Sequence, residues 1–278
     1  MGIVRDAAIQ WMRQRQWAFD WTLPIVGETY DGYLNDIDGG HIHARHVFEA
    51  LDGAGAGRIA EGNVGGGAGM ITYWYKGGTG TASRRLAAAD GGYTVGVLVQ
   101  SNYGQRRHLR VGGIPVGRYV AEDLPRFMDP TLLSPDLRVR CAPWVTPGDG
   151  SIIVVVATDA PVLPHQLRRI AKRPALAIGR LGGVGAAASG DIFIAFSTAN
   201  GSVREEPGTM AAASAIELHP NLGLTALFEA TIDATEEAIL NALVAAEDAE
   251  GANRLYVPRL PHARIQQALR SHNLLTDR

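Results

Sequence analysis

The chain has 278 residues, a formal net charge of −2 at pH 7 and an isoelectric point near 6.4. This length allows a sizeable hydrophobic core, in one large domain or in two smaller ones. The small net charge gives no electrostatic reason to expect nucleic acid or an anionic membrane as a partner. No apolar run is long enough to span a bilayer. One cysteine, Cys141, excludes an internal disulfide framework and favours a reducing, cytoplasmic location.

The N-terminal part of the chain predicts two helices followed by two strands. Residues 6–21 place apolar side chains at helical spacing and carry charges throughout, which indicates an amphipathic helix and no signal peptide. Residues 43–54 predict a second helix that ends in glycine. Residues 70–75 are aromatic and residues 93–102 are rich in valine, so both predict strands, the second buried on both faces. Residues 115–149 are rich in proline and predict a long exposed connection.

The C-terminal part alternates strand and helix. The aliphatic residues 152–157 predict a buried strand, and residues 191–197 predict another. Residues 163–178 predict a helix. Residues 234–251 predict a further helix, with Thr235 as its cap, acidic residues in its first turn and a glycine stop. Because strands and helices interleave in both halves, the sequence predicts an α+β protein whose halves share one core.

The dipeptide Gly150-Ser151 stands between a loop rich in Pro and Gly and a predicted strand, in the stretch PGDGSIIVVVATDA. A glycine before the serine leaves the peptide carbonyl accessible and tolerates strained backbone angles. The serine hydroxyl can then attack that carbonyl, and hydrolysis of the resulting ester frees Ser151 as a new N-terminus. Its α-amine, with a pKa of about 7.7–8, can act as general base for its own hydroxyl. Ordinary turn chemistry is the alternative explanation.

Five long blocks occur in order along the chain: PIVGETYDGYLNDI, EGNVGGGAGMITYWYKGGTGTASR, YTVGVLVQSNYG, GDGSIIVVVATDAPVLPHQL and ASGDIFIAFSTAN. With them the chain resembles the L-aminopeptidase/D-esterase–amidase family, which includes the β-aminopeptidases. The resemblance implies an N-terminal-nucleophile hydrolase with a four-layer αββα sandwich. It implies a single domain, self-cleaved into an α chain of residues 1–150 and a β chain of residues 151–278. The N-terminus looks shortened, because family members carry several dozen more residues before Pro24.

The same resemblance assigns roles to individual residues. Ser151 matches the nucleophile, and Ser189 and Asp191, in ASGDI, match a Ser-x-acid pair that binds its amine. Side chains two apart on a strand point to the same side, so both can reach one amine. Tyr73 and Asn102 match positions beside the nucleophile, where a phenol and a carboxamide suit an oxyanion hole. Without the resemblance, turns, caps and packing explain the four residues other than Ser151.

The implied function is a serine aminopeptidase, amidase or esterase that releases small N-terminal L-, D- or β-amino acids through an acyl-enzyme on Ser151. The implied assembly is a homo-oligomer of αβ units, with no cofactor and no metal. The histidines in residues 41–46 suggest a metal site only weakly, since no third-ligand motif accompanies them. Two alternatives stay open. One is an acyltransferase like the ornithine acetyltransferases, which use a threonine nucleophile, and the other is an uncleaved scaffold or binding protein.

Overall fold

A computed structural model of the chain describes residues 2–17, 22–120, 124–127, 150–187, 189–201, 215–252 and 254–275. Its helices are α1 (Gly2–Gln14), α2 (Ala44–Asp52), α3 (Pro164–Ile170), α4 (Pro174–Arg180), α5 (Leu224–Val244) and α6 (His262–Arg270). Its strands are β1 (Ile71–Thr72), β2 (Tyr75–Lys76), β3 (Gly78–Arg85), β4 (Thr94–Asn102), β5 (Arg126–Phe127), β6 (Ser151–Thr158), β7 (Ile192–Ser197), β8 (Ala249–Glu250) and β9 (Leu255–Val257). The α+β class is confirmed, and no helix in the described ranges combines the length and apolarity needed to cross a membrane.

The central sheet contains four strands in the order β3-β4-β6-β7. β4 is antiparallel to β3 and to β6, whereas β7 runs parallel to β6. Along β4 and β6 every second side chain is buried, because valine and isoleucine on one face pack into the main core. The side chains between them in β4 are mostly half-buried, so the prediction that residues 93–102 are buried on both faces is wrong. A smaller sheet has the order β5-β9-β8.

Helix α5 covers β3 and β4 on the buried face of the central sheet. Its alanines Ala234, Ala238 and Ala242 are fully buried, and their small side chains let the helix backbone approach the sheet closely. A Cβ atom on Gly80 of β3 would lie 1.9 Å from the carbonyl oxygen of Ala238. The strand therefore needs glycine here. β3 was not predicted from the sequence, because its glycines are typical of loops.

The close approach at Gly80 predicts a large stability effect. We expect Gly80→Ala to lower the free energy of unfolding by about 3 kcal/mol, because the added methyl group forces α5 away from the sheet. Gly96→Ala in β4 is the control, since a Cβ atom there meets nothing within 4 Å. Urea unfolding of both variants measures the difference. Equal midpoints for Gly80→Ala and Gly96→Ala would contradict the packing.

Two predicted elements have different boundaries in the structure. The predicted strand at residues 70–75 is the hairpin β1-β2, whose turn residues Tyr73 and Trp74 have φ values of 51° and 63°. The helix predicted at residues 163–178 is divided into α3 and α4, because Pro174 begins a new helix and cannot continue the old one. In the β1-β2 hairpin, the burial of Tyr73 against neighbouring elements stabilises the strained turn.

The first and last predicted helices also differ. α1 begins at Gly2 and ends at Gln14, while residues 18–21 of that prediction lie outside the described ranges. α5 begins ten residues before the predicted start, and Thr235 is not its cap. Thr235 is buried and its hydroxyl donates to the carbonyl oxygen of Thr231 at 2.7 Å. Most of the predicted connection at residues 115–149, Cys141 included, also lies outside the described ranges.

The segment at residues 27–31 packs near one end of β4 and β6, on the face of the central sheet that α5 does not cover. Gln100 donates from Nε2 to Thr29 Oγ1 at 2.9 Å. Asn102 donates from Nδ2 to the carbonyl oxygen of Tyr30 at 2.7 Å. These two bonds tie the segment to the end of β4, where the residues predicted to carry chemistry lie.

Candidate active site

Ser151 is the first residue of β6 and lies opposite Asn102, the last residue of β4. Side chains directly opposite in an antiparallel pair project to the same side, with Cβ atoms about 5 Å apart. The Ser151 hydroxyl oxygen accepts a hydrogen bond of 3.2 Å from the backbone N–H of Gly190. The sheet register thus places a candidate nucleophile and a carboxamide side by side at one end of the sheet.

Gly150 stands at a close approach of two backbones. A Cβ atom at this position would lie 1.5 Å from the carbonyl oxygen of Asn102, so only glycine fits. The Gly150 carbonyl oxygen lies 2.7 Å from Ser189 Oγ, which can donate a hydrogen bond to it. The peptide unit before Ser151 is therefore held by contacts on both sides.

Ser189 and Asp191 lie immediately before β7 and contact each other. Ser189 Oγ is 2.6 Å from Asp191 Oδ1. A hydroxyl has one hydrogen, so Ser189 donates either to this carboxylate or to the Gly150 carbonyl at any one time. The parallel pairing of β7 with β6 keeps both residues beside Ser151. A carboxylate and a hydroxyl in this position can hold and orient an amine released at Ser151.

The carboxamide of Asn102 is almost fully buried and is held at both ends. Its Oδ1 accepts a 2.7 Å hydrogen bond from the N–H of Ile71, and its Nδ2 donates to Tyr30. Nδ2 carries two hydrogens, so one more donor is available for an oxyanion near Ser151. The fixed orientation is what electrostatic stabilisation of a transition state requires, since no reorganisation is needed during the reaction.

Tyr73 lies next to Tyr103, with 3.2 Å between the two hydroxyl oxygens. It is fully buried, and its hydroxyl donates to the carbonyl oxygen of Leu181 at 2.8 Å. Burial raises the pKa of its phenol well above the usual range, against a smaller lowering by the hydrogen bond with Tyr103. Among the described residues, the Tyr73 hydroxyl has no hydrogen bond to Ser151, Ser189 or Asp191, and its role in an oxyanion hole stays a prediction.

Two groups at the site were not predicted from the sequence. Tyr103 lines a cleft together with Gly150, Ser189 and Asp191. Burial raises the pKa of its phenol, and the charges of neighbouring groups, Asp191 among them, raise it further. The second group is the backbone N–H of Gly190. Tyr103 follows Asn102 directly in the sequence, but residue type alone does not indicate which way a side chain points at the end of a strand.

The weak metal-site signal at residues 41–46 has no geometric support. Within the described ranges, no group of three His, Cys, Asp or Glu side chains could hold a metal ion. His41 Nε2 instead lies 3.0 Å from Asp36 Oδ2 at the surface, which is an ordinary exposed pair. That the chemistry needs no metal and no cofactor stays a prediction.

A buried lysine supports the hairpin that holds Asn102. Lys76 is fully buried in β2, directly opposite Ile71, whose N–H binds the Asn102 carboxamide. Its Nζ donates to the carbonyl oxygens of Gly67 and Gly77 at 2.7 and 2.8 Å. Burial lowers the pKa of this amine from 10.5 to about 7. A neutral amine keeps two N–H groups, which is enough for both carbonyls.

This lowered pKa predicts a pH-dependent stability difference. The unfolded chain binds the proton of Lys76 more tightly, so between about pH 7 and pH 10.4 the free energy of unfolding rises with pH. Below about pH 7 the cost of the buried charge is fully present. We expect the free energy of unfolding of wild type to rise by about 4 kcal/mol from pH 7 to pH 10, relative to that of Lys76→Met. Lys172→Met, at an exposed lysine, is the control. Urea unfolding measures the free energy of unfolding of each protein at pH 7 and pH 10. If the difference between wild type and Lys76→Met were the same at both pH values, the amine of Lys76 would not be neutralised by burial.

Comparison with known proteins reveals a family and close relatives. The chain matches peptidase family S58 over residues 1–257. It is 49% identical over 275 residues to the Beta-peptidyl aminopeptidase BapA of Sphingosinicella microcystinivorans, an alignment that covers 99% of this chain and 68% of that protein.

Two solved structures are also similar. A beta-aminopeptidase of Burkholderia sp. has a TM-score of 0.84 and 45% identity, covering 97% of this chain and 70% of that one. The L-aminopeptidase D-Ala-esterase/amidase of Ochrobactrum anthropi has a TM-score of 0.85 and 41% identity, covering 99% of this chain and 72% of that one. The second is described as a prototype of the serine aminopeptidases and a variant of the Ntn hydrolase fold.

The fold, together with these relatives, defines a serine peptide hydrolase of the N-terminal-nucleophile class. The chain belongs to peptidase family S58. The family resemblance inferred from the sequence, its αββα fold class and its peptidase function are confirmed. The acyltransferase and scaffold alternatives find no support among these relatives. The chain spans about two thirds of the length of BapA.

Proposed function

We propose that the chain cleaves itself between Gly150 and Ser151, giving an α chain of residues 1–150 and a β chain of residues 151–278. Ser151 Oγ attacks the Gly150 carbonyl carbon, while Ser189 Oγ donates to the developing oxyanion. The proton of the Ser151 hydroxyl passes to the amide nitrogen as the peptide C–N bond breaks. The acyl group has then moved from nitrogen to oxygen, and water hydrolyses the ester. One observation carries this proposal: the scissile carbonyl lies 2.7 Å from a hydroxyl donor at a position that only glycine can occupy.

The mature enzyme then acts as an aminopeptidase. The free α-amine of Ser151 takes the proton from its own hydroxyl, which attacks the carbonyl carbon of the substrate. Asn102 Nδ2 and the N–H of Gly190 serve as donors to the oxyanion that forms, since the first lies opposite Ser151 and the second binds its hydroxyl. Ser189 and Asp191 hold the amine in position. The amine leaving group takes the proton, and water hydrolyses the acyl-enzyme to regenerate the hydroxyl and release an amino acid.

The substrates in this proposal are short peptides, amides or esters with a small uncharged N-terminal residue of L, D or β type. The relatives named as β-aminopeptidases and as an L-aminopeptidase D-Ala-esterase/amidase support this range. The proposal also includes a homo-oligomer of αβ units in the cytoplasm. Hydrolysis rates for the p-nitroanilides of Gly, L-Ala, D-Ala and β-Ala identify the preferred residue, and failure to hydrolyse any of them contradicts the aminopeptidase.

Removing the Ser189 hydroxyl tests the contact that carries the proposal. We expect Ser189→Ala to slow both self-cleavage and p-nitroanilide hydrolysis by about 10² to 10³, the usual effect of losing one oxyanion donor or positioning group. Ser189→Thr keeps the hydroxyl and should recover most of the rate. Ser197→Ala is the control, because that hydroxyl binds Ala160 at the other end of β7. Densitometry of denaturing gels over time measures cleavage, and wild-type rates in Ser189→Ala would remove this residue from the mechanism.

A further inference from the structure

A second cavity, of about 260 Å³, lies next to the active-site cleft. Its charged lining consists of Arg107, Arg110 and Arg118, and we call it the arginine pocket. All three arginines are exposed. Glycines from the end of α4 and the following turn form another part of the wall, so there is little side-chain bulk in the way of a ligand.

The arginine pocket has a local positive charge on a protein whose formal net charge is −2. Among the described residues, no carboxylate forms an ion pair with any of its three arginines. Arg107 Nε lies 3.1 Å from His108 Nε2, and Arg110 donates to the carbonyl oxygen of Gly113 at 3.0 Å. Each guanidinium carries five N–H groups, so most of these donors are available to an oxyanion.

The C-terminal end of α4, which is the negative end of a helix dipole, forms part of the wall. The carbonyl oxygens at the C-terminal end of α4 are already occupied, since those of Ile178 and Gly179 accept hydrogen bonds from Gly183 and Gly182. The pKa of His108 is lowered by burial first and then by the positive charge of Arg107. The charge of Arg107 therefore reaches His108, which lines both the arginine pocket and the cleft.

The arginine pocket adjoins the active-site cleft directly. His108 and Val184 line both cavities, and the cleft also contains Gly150, Ser189 and Asp191. Two neighbouring cavities thus carry opposite charges, a carboxylate in one and arginines in the other. The C-terminal carboxylate of a short peptide has the charge that the arginines favour, while Asp191 is assigned to the α-amine of Ser151. The cleft itself encloses only about 30 Å³, so no whole residue is placed inside it. A short extended peptide, which advances by about 3.4 Å per residue, spans the boundary that the two cavities share.

We propose that the arginine pocket binds the free C-terminal carboxylate of a short peptide substrate while its first peptide bond lies at Ser151. This inference rests on the proposed aminopeptidase function and narrows its substrate class from amides and esters in general to short peptides with a free carboxylate. The carboxylate belongs to the leaving part of the substrate, so it departs with the amine product and plays no part in acyl-enzyme hydrolysis.

The test compares a dipeptide that ends in a free carboxylate with the same dipeptide ending in a carboxamide. Its first residue is the one that the p-nitroanilide panel identifies. We expect wild type to favour the acid over the amide in kcat/KM by about tenfold, the usual effect of charge-assisted hydrogen bonds to guanidinium. In the double variant Arg110→Gln, Arg118→Gln this ratio should fall to about one. Arg85→Gln, an exposed arginine at the far end of β3, is the matched control and should keep the wild-type ratio.

The outcomes separate the two proposals. Wild type that hydrolyses the p-nitroanilides but shows an acid-to-amide ratio near one, or a double variant that keeps the wild-type ratio, overturns the carboxylate site alone. Wild type that hydrolyses no p-nitroanilide overturns the aminopeptidase itself. Inorganic phosphate, added as an inhibitor, distinguishes a site for the substrate carboxylate from a site for a separate anion. If phosphate inhibits hydrolysis of the dipeptide acid more than hydrolysis of the dipeptide amide, the inference is supported. If it inhibits both reactions equally, the pocket binds a separate anion and the inference is contradicted.

Discussion

Ser151→Ala is expected to leave the chain uncut and to lower p-nitroanilide hydrolysis by about 10⁴-fold or more, the loss that follows removal of a nucleophile. In the proposed mechanism both effects have one origin, because the same oxygen attacks the Gly150 carbonyl in processing and the substrate carbonyl in turnover. Alanine removes only the hydroxyl from a half-buried strand position, so the fold should persist. Intact mass of the purified protein measures cleavage, and release of p-nitroaniline measures turnover.

The control for this variant is Ser83→Ala, which removes an exposed hydroxyl from β3 of the same sheet. It should be cleaved and active like wild type. N-terminal sequencing of the smaller fragment from wild type should yield Ser-Ile-Ile-Val. Turnover that survives in Ser151→Ala, or a fragment that begins at another residue, would refute the assignment of the nucleophile.

Gly150→Ala is expected to slow self-cleavage by about 100-fold or more, although it changes no catalytic group. The added Cβ atom would lie 1.5 Å from the Asn102 carbonyl oxygen, so the peptide unit has to move out of its position beside Ser189. A displacement of about 1 Å in a reacting group typically costs a factor of 10² in rate. A time course on denaturing gels, begun at synthesis of the chain, measures the loss.

Gly96→Ala separates this effect from a general loss of stability. It adds the same methyl group to β4, in the strand that contains Asn102, at a place where nothing lies within 4 Å. It should be cleaved at the wild-type rate. Rapid cleavage of Gly150→Ala would show that the close approach to Asn102 is not needed to align the scissile bond.

Much of the candidate site is predictable from local sequence patterns. The Gly150-Ser151 dipeptide ahead of an aliphatic strand and the Ser-x-Asp spacing of Ser189 and Asp191 are local signals, and the structure brings these residues within hydrogen-bond contact. Asn102 ends a predicted strand, and the register of β4 with β6 puts it opposite Ser151. These predictions succeed because the strands that carry them have strong aliphatic patterns.

The remaining features depend on contacts between distant parts of the chain. The family resemblance assigns Tyr73 to the oxyanion, and that role stays a prediction. A turn with positive φ at Tyr73 and Trp74 sets the contacts of its hydroxyl with Leu181 and Tyr103, which no local pattern showed. The sequence did not predict β3, because glycine is typical of loops. Gly80 is needed in this strand because Ala238 of α5 packs directly against it. No local pattern encodes such an approach, because it depends on how closely two backbones pack.

The sequence by itself determined the nucleophile candidate, the alternation of strands and helices and the family, since these depend on residue type and spacing along the chain. Only the tertiary structure decided that Gly150 must be glycine, that Ser189 contacts the Gly150 carbonyl and that arginines line a cavity next to the cleft that contains Asp191. The physical reason is that each of these is a distance between atoms from separate elements. Such distances are set by sheet register and by helix packing, which no single segment specifies.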